Sequence, residues 1–255
     1  MKRATTTAPA APTAPRADAA PAAARVEAAP TGARGEAAPA SRVDAAPAAV
    51  PRPRADAVRN RERILVAARE LFVEFGAGAA FDEVARRAGV GNATLYRHFP
   101  DRPTLVRHVV LFVMDRVTAH AEHALAEEAD AFDALCRFTH AAADERIGAL
   151  CPMLAADFGH DHPELLAARD VLEAAVQALL AAGQDAALVR PDIGTGDLMV
   201  ALSQLSRPLP GTACVDVDHF THRHLQLFLD GLRAPARSVL PGSAATAEAL
   251  RRKTM

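Results

Sequence analysis

RILVAARELF at residues 63–72 and VARRAGVGNATLYRHF at residues 84–99 decide how this chain is read. In the first stretch Ile64, Ala68, Leu71 and Phe72, followed by Phe75, recur at the spacing of one helix face. Arg61, Glu62, Arg69, Glu70 and Glu74 occupy the other faces, and Gly76 and Gly78 supply a stop. A second, short helix is lined by Phe81, Val84, Ala85 and Ala88 and ends at Gly89. Val90-Gly91 then turns the chain into a third helix, 92–99, whose Leu95 and Phe99 stand four apart and must face inward. Two short helices across such a turn make a helix-turn-helix, whose second helix enters the major groove of DNA. Pro100-Asp101 opens a fourth helix, with Asp101 as N-cap and Pro103 tolerated in the first turn, where no intrahelical N–H is needed.

With Leu95 and Phe99 inward, helical geometry turns Asn92, Thr94, Tyr96, Arg97 and His98 partly or wholly outward. An amide, a hydroxyl, a phenol, a guanidinium and an imidazole are suited to phosphates and base edges. Tyr96, the only tyrosine of 255 residues, is read as a phosphate-binding phenol in preference to a packing residue. The charge distribution agrees. The net charge of −2 divides into +3 over residues 1–56, +3 over 57–110 and −8 over 111–255, a basic front on an acidic body.

Arg63-Ile64-Leu65-Val66-Ala67-Ala68-Arg69-Glu70-Leu71-Phe72, then Gly76, then Val84-Ala85-Arg86-Arg87-Ala88-Gly89-Val90, then Thr94-Leu95-Tyr96-Arg97-His98-Phe99 resembles the DNA-binding domain of the TetR family in order and spacing. That resemblance implies a homodimer with an all-helical ligand domain, its two recognition helices set in successive major grooves. It also implies phosphate contacts at Tyr96 and His98, base contacts near Asn92, Ala93 and Thr94, and a further basic phosphate contact at Arg102. Two departures stand out. Ala79-Ala80 occupies the place of the usual hydroxyl residue before the second helix, and Gly91 that of a frequent Ser or Thr. Both remove capping or phosphate contacts and shift weight onto Arg59, Arg61 and Arg63.

Around this unit the chain changes character. Residues 1–56 are rich in Ala and Pro and repeat Arg-x-(Asp/Glu)-Ala-Ala-Pro from Arg16, Arg25, Arg34 and Arg42. Regular prolines break helices, and no large apolar side chain offsets the ordering entropy, so the segment reads as a disordered tail. Met1-Lys2-Arg3 precedes Thr and Pro instead of an apolar core, unlike a signal peptide. Beyond the fourth helix, helical patterns run over about 102–128, 131–158 (broken near Asp144 or Pro152), 163–182 with Gly183 as stop, 195–206 and 217–233. Leu198, Leu202 and Leu205, with Phe220, Leu227 and Phe228, form apolar stripes read as the dimer contact. Residues 234–255 read as a flexible tail.

The expected fold is all-α: a three-helix DNA-binding domain with a helix-turn-helix over 57–104, then an all-helical ligand-binding and dimerisation domain over 105–233. Phe112, Phe132, Phe138, Met153, Phe158 and Met199 are the candidate pocket residues, implying an apolar or amphipathic effector. Cys136, Cys151 and Cys214 match neither a disulfide framework nor a zinc spacing. Some histidines of the groups His120/His123, His160/His162 and His219/His222/His224 stand three apart, a spacing that suits a shared metal, but no nearby Cys or HExxH supports one. No metal and no cofactor are expected. GxSxG, Walker and GxGxxG patterns are absent, which argues against an enzyme. No apolar run is long enough to span a membrane. The reading is a cytoplasmic, ligand-responsive transcriptional regulator. It acts most readily as a repressor that a small molecule releases from a pseudo-palindromic operator. An interaction adaptor with a vestigial helix-turn-helix is the alternative, and sequence-specific duplex binding separates the two.

Overall fold

The computed structural model describes residues 53–150, 162–207, 217–246 and 248–249. Met153, Phe158, His160, Cys151, Cys214 and the repeat of residues 1–52 lie outside them, as does the side chain of His219. Helix α1 spans Pro53–Phe75 and begins inside the stretch read as tail, since a proline is tolerated in a first turn and Asp56 lies favourably at the helix start. Ile64, Ala68, Leu71 and Phe72 are buried as their spacing requires. Phe75 is 65% exposed. It is the last residue of α1, and Gly76 at φ +71° turns the chain away before the ring can pack.

A 3-10 turn, Gly76–Gly78, leads to α2 (Phe81–Ala88) and α3 (Asn92–His98). Neither Ala80 nor Gly91 offers a side-chain cap to its helix. Gly89 closes α2 at φ +64°, and a Cβ there would lie 2.4 Å from Arg63 Nη2. Helix α4 (Arg102–Glu127) starts as expected: the Asp101 carboxylate accepts from the Thr104 N–H at 2.8 Å, and Pro103 sits in the first turn. Its inner face of Leu105, Val106, Val109, Val113 and Val117 runs from the α1–α3 unit into the body. Helix α5 (Ala131–Asp144) is capped by Asp130 and breaks at Asp144, the first of the two expected places. Arg146 follows with φ +58°.

Helix α6 (Pro163–Asp185) packs on α4 and α5. It does not stop at Gly183 but continues to Asp185, and the left-handed residue is Ala187 at φ +55°. Gly183 is needed for proximity instead, since a Cβ would fall 2.5 Å from Val189 Cγ2. Helix α7 (Thr195–Leu205) and α8 (Val217–Leu232) complete the body against α5 and α6. Leu198 and Leu202, expected at a dimer contact, are fully buried in the chain's own core together with Leu225 and Leu229. Among the described side chains of α7 and α8, the large apolar ones that stay exposed are Val200 (41%), Phe220 (48%) and Leu227 (60%).

Residues 234–246, read as part of a flexible tail, run back over the start of α7. Gly196 N–H donates to the Ala245 carbonyl (2.9 Å), and Ala245 N–H donates to the Asp197 carboxylate (3.1 Å). A Cβ on Gly194 or Gly196 would meet the Ala245 oxygen at 2.5 Å, so two glycines make room for this return. Among the described residues no strand forms beyond a single Val189–Arg233 bridge, and no helix is long and apolar enough to cross a membrane.

Candidate nucleic-acid interface

Helix α3 is divided by burial as its sequence implies. Leu95 and Phe99 are fully buried, while Asn92, Ala93, Tyr96 and Arg97 are exposed and Thr94 and His98 are half-buried. Apolar burial of roughly 1.5–3 kcal/mol per large side chain anchors the inner face, and the outer face is left to solvent or a ligand. The Tyr96 ring leans on Phe81 with centroids 5.3 Å apart yet stays 49% exposed, so packing and an outward phenol coexist. Asn92 Nδ2 donates to the Asp82 carboxylate at 2.8 Å. Among the described residues Arg97 has no ion pair or hydrogen bond.

The other arginines divide by task. Arg63 reaches the carbonyl of Gly89 at 3.3 Å and so caps the end of α2. Arg61 turns inward to His108 Nδ1 (3.0 Å) and over the Phe99 ring (4.9 Å). Burial, with the charges of Arg61 and Arg107, holds the His108 imidazole below its ordinary value of 6.5, so it stays a neutral acceptor for Arg61. Arg102, expected at a phosphate, donates from Nη1 to the Ala79 carbonyl (2.7 Å) and lies over the Phe81 ring (5.5 Å). This contact ties the start of α4 to the turn before α2; it leaves the uncapped N–H groups of α2 without a side-chain acceptor, because a guanidinium only donates. Arg87 is drawn to Glu74 (2.6 Å), which holds that carboxyl below its usual range. A cleft of 490 Å³ on the flank of α1 and α2, walled by Arg59, Arg63 and Arg87 with Glu62 and Glu70 over Val66 and Ala67, carries both signs of charge.

In the body, the residues expected at a pocket separate. Phe132 and Phe138 are core, 1% and 0% exposed, and the Arg233 guanidinium lies 3.8 Å from the Phe132 ring centroid. Phe112 and Met199 are half-buried at the core margin, with Arg116 above the Phe112 ring at 5.7 Å.

One polar group had no signal in the sequence. Glu145, 3% exposed at the end of α5, accepts from Arg69 of α1 and from Arg116 and His120 of α4 (2.7 and 3.1 Å). Burial pushes its carboxyl up, but the Arg116 and His120 hydrogen bonds and the charges of Arg69 and Arg116 outweigh it, and the group lies below its ordinary 4.5. It ties α1 and α4 to the end of α5. The histidine groups resolve differently from a metal site. His120 belongs to Glu145, and His222 meets His140 (2.8 Å) and Asp144 (2.9 Å). Among the described residues no group of three or more His, Cys, Asp or Glu is placed to hold a metal.

Comparison with known proteins places this arrangement. Residues 64–109 match the family of bacterial regulatory proteins, tetR family, and residues 130–234 match the C-terminal domain of SbtR-like transcriptional regulators. A TetR transcriptional regulator of Streptomyces coelicolor is similar at 31% identity, over 69% of this chain and 99% of that one, with a TM-score of 0.56. The TetR regulatory protein of Mycobacterium vanbaalenii is 34% identical over 71% of this chain and 99% of its own, with a TM-score of 0.51. An HTH-type transcriptional regulator of Staphylococcus aureus (strain bovine RF122) is 41% identical over 58 residues, which span 22% of this chain and only 31% of that regulator.

Proposed function

Since this chain belongs to the TetR family of bacterial regulatory proteins, we propose that it is a DNA-binding transcriptional repressor which a small molecule releases from its operator. The observation that carries this is α3. Its inner residues Leu95 and Phe99 are locked in the core, and its outer row of Asn92, Ala93, Tyr96 and Arg97 is presented on the basic part of the chain. Tyr96, His98 and Arg97 serve phosphates, and Asn92, Ala93 and Thr94 serve bases. Arg63 and Arg102 support the surface by holding the Gly89 and Ala79 carbonyls, and Arg63 adds basic charge beside the phosphate path.

The regulator acts as a homodimer on a pseudo-palindromic site, pairing through α7 and α8, whose Val200 and Leu227 leave apolar surface exposed. Helix α4 carries the switch. It begins beside the reading helix and continues past Phe112 into the body, so an apolar or amphipathic effector beside Phe112 tilts it and changes the separation of the two reading helices. Two half-sites must lie about 34 Å apart, so a shift of a few ångströms loses one groove.

The test is selection of duplexes from a random pool at fixed salt, followed by titration of the selected site. Tyr96→Ala and Arg97→Ala should weaken all sequences alike. The arginine change should also flatten the dependence of log K on log salt by about one unit. If both variants bind the selected operator as the parent does, α3 is not the reading surface. Operator release in a screen of apolar and amphipathic compounds, lost in Phe112→Ala, tests the switch.

A further inference from the structure

We infer that Asp82, on the helix that does not enter the groove, fixes which base Asn92 reads: it orients the Asn92 amide so that the reading edge selects adenine. This rests on α3 being the reading helix. Asp82 is the second residue of α2 and Asn92 the first of α3; both are exposed, and Asn92 Nδ2 donates to Asp82 Oδ1 at 2.8 Å. Among the described residues Asn92 is the hydrogen-bond partner of Asp82.

A free asparagine presents either end of its amide, because carbonyl and NH2 exchange by a half-turn about the last side-chain bond. A carboxylate accepts and does not donate, so Asp82 takes only the nitrogen end and turns the Asn92 carbonyl oxygen away from α2. The second N–H remains. The edge offered to a ligand is then one acceptor beside one donor.

In the major groove adenine presents the complement, its N6 amino donor beside the N7 acceptor. Cytosine offers the N4 donor alone. Guanine presents two acceptors, O6 and N7, and thymine one acceptor and a methyl group, and both leave the oriented carbonyl facing oxygen or carbon. Adenine is therefore favoured, cytosine tolerated, and guanine and thymine rejected. The carboxylate also weakens attraction to a polyanion for every sequence alike, so phosphate binding supplies no reason for it. As an acidic residue in the first turn of α2 it adds helix stability, an effect that shows in unfolding and leaves base preference untouched.

The experiment is duplex selection at one salt concentration with the full chain and its Asn92→Ala, Asp82→Ala and Asp82→Asn variants, each checked for its thermal midpoint. Asn92→Ala identifies the position read. There the parent should prefer adenine over guanine by about tenfold or more. Asp82→Ala should reduce that preference to within about threefold while raising affinity for all sequences, because the freed amide then offers either end. Asp82→Asn carries a donor as well as an acceptor, so it no longer dictates which end of the Asn92 amide is held and should lose the preference as Asp82→Ala does. The inference is overturned if Asp82→Ala or Asp82→Asn retains the adenine preference, or if the parent selects guanine or thymine at that position. A parent chain that enriches no sequence overturns the DNA-reading function itself, a different result from an enriched site that is indifferent to Asp82.

Discussion

Replacing Glu145 by Gln should loosen the joint between the DNA-binding helices and the body. The carboxylate is 3% exposed and faces three donors, whose side chains are 20% (Arg69), 47% (Arg116) and 31% (His120) exposed. Stripping one member from a fully buried ion pair costs ~3–5 kcal/mol, because the remaining charge is left without compensation. Arg116 is nearly half in water, where a pair is worth ~0–1 kcal/mol, and it turns outward when released. The uncompensated cost falls mainly on Arg69, so the loss should be about 2–3 kcal/mol, and about 5–10 °C in midpoint for a domain of this size. Thermal unfolding followed by circular dichroism measures it, and a cycle with Arg69→Met should return a coupling of about 1–2 kcal/mol for the cross-joint pair. The pH dependence has a defined sign. The Glu145 carboxyl is depressed in the folded state, so its contribution is complete above the ordinary value of 4.5 and is lost as pH falls through the folded value. The Gln variant lacks that loss, and the two stability curves should converge on acidification. A cost below about 0.5 kcal/mol, with curves that stay parallel, would refute the reasoning.

Gly183→Ala should destabilise by about 1–3 kcal/mol in chemical unfolding, because the new methyl lands 2.5 Å from Val189 Cγ2, and Val189→Ala in the same chain should restore most of it. Phe138→Ala should cost about 3–5 kcal/mol in the same assay, since a fully buried ring leaves a cavity. Burial pushes the Cys136 thiol up to about 11, so with Cys151 and Cys214 replaced by Ser it should react with a thiol reagent at pH 8 roughly a hundredfold more slowly in the native than in the unfolded chain. If the proposed pairing through α8 holds, the parent should sediment as a dimer and Leu227→Glu, on the exposed face of α8, as a monomer with its helical content unchanged.

The reading helix was legible because two independent patterns coincide there. Leu95 and Phe99 set the buried side, and Gly89 marks a left-handed stop that its φ of +64° confirms. Asp101 and Pro103 likewise announced the start of α4 through local chemistry alone. Where the outcome depended on partners distant in sequence, local patterns misled. Gly183 has the look of a helix stop, yet its lack of a side chain serves Val189 across a turn. Leu198 and Leu202 form a stripe that periodicity cannot assign to a core or to a second subunit, and they belong to the core. Arg102 carries no mark that it turns inward to Ala79. Glu145 was invisible for the same reason: its partners are 76, 29 and 25 residues away, and nothing around it in sequence distinguishes it from a surface acid.

The return of residues 234–246 over α7 bears on where this protein tolerates being cut. Arg190 is 4% exposed, and its guanidinium is satisfied by Asp192, by the Gly231 carbonyl and, at 2.8 Å, by the carbonyl of Ser238. A fragment trimmed at the last residue of α8 keeps α1 to α8 whole. It nonetheless deprives that buried cation of an acceptor, Gly196 N–H of Ala245, and the Asp197 carboxylate of its second donor. Two glycines would then line an empty channel in place of a docked chain. The seam between this module and anything joined to it lies beyond residue 246, and a tag or fusion partner set directly after Leu232 enters the structure it is meant to follow.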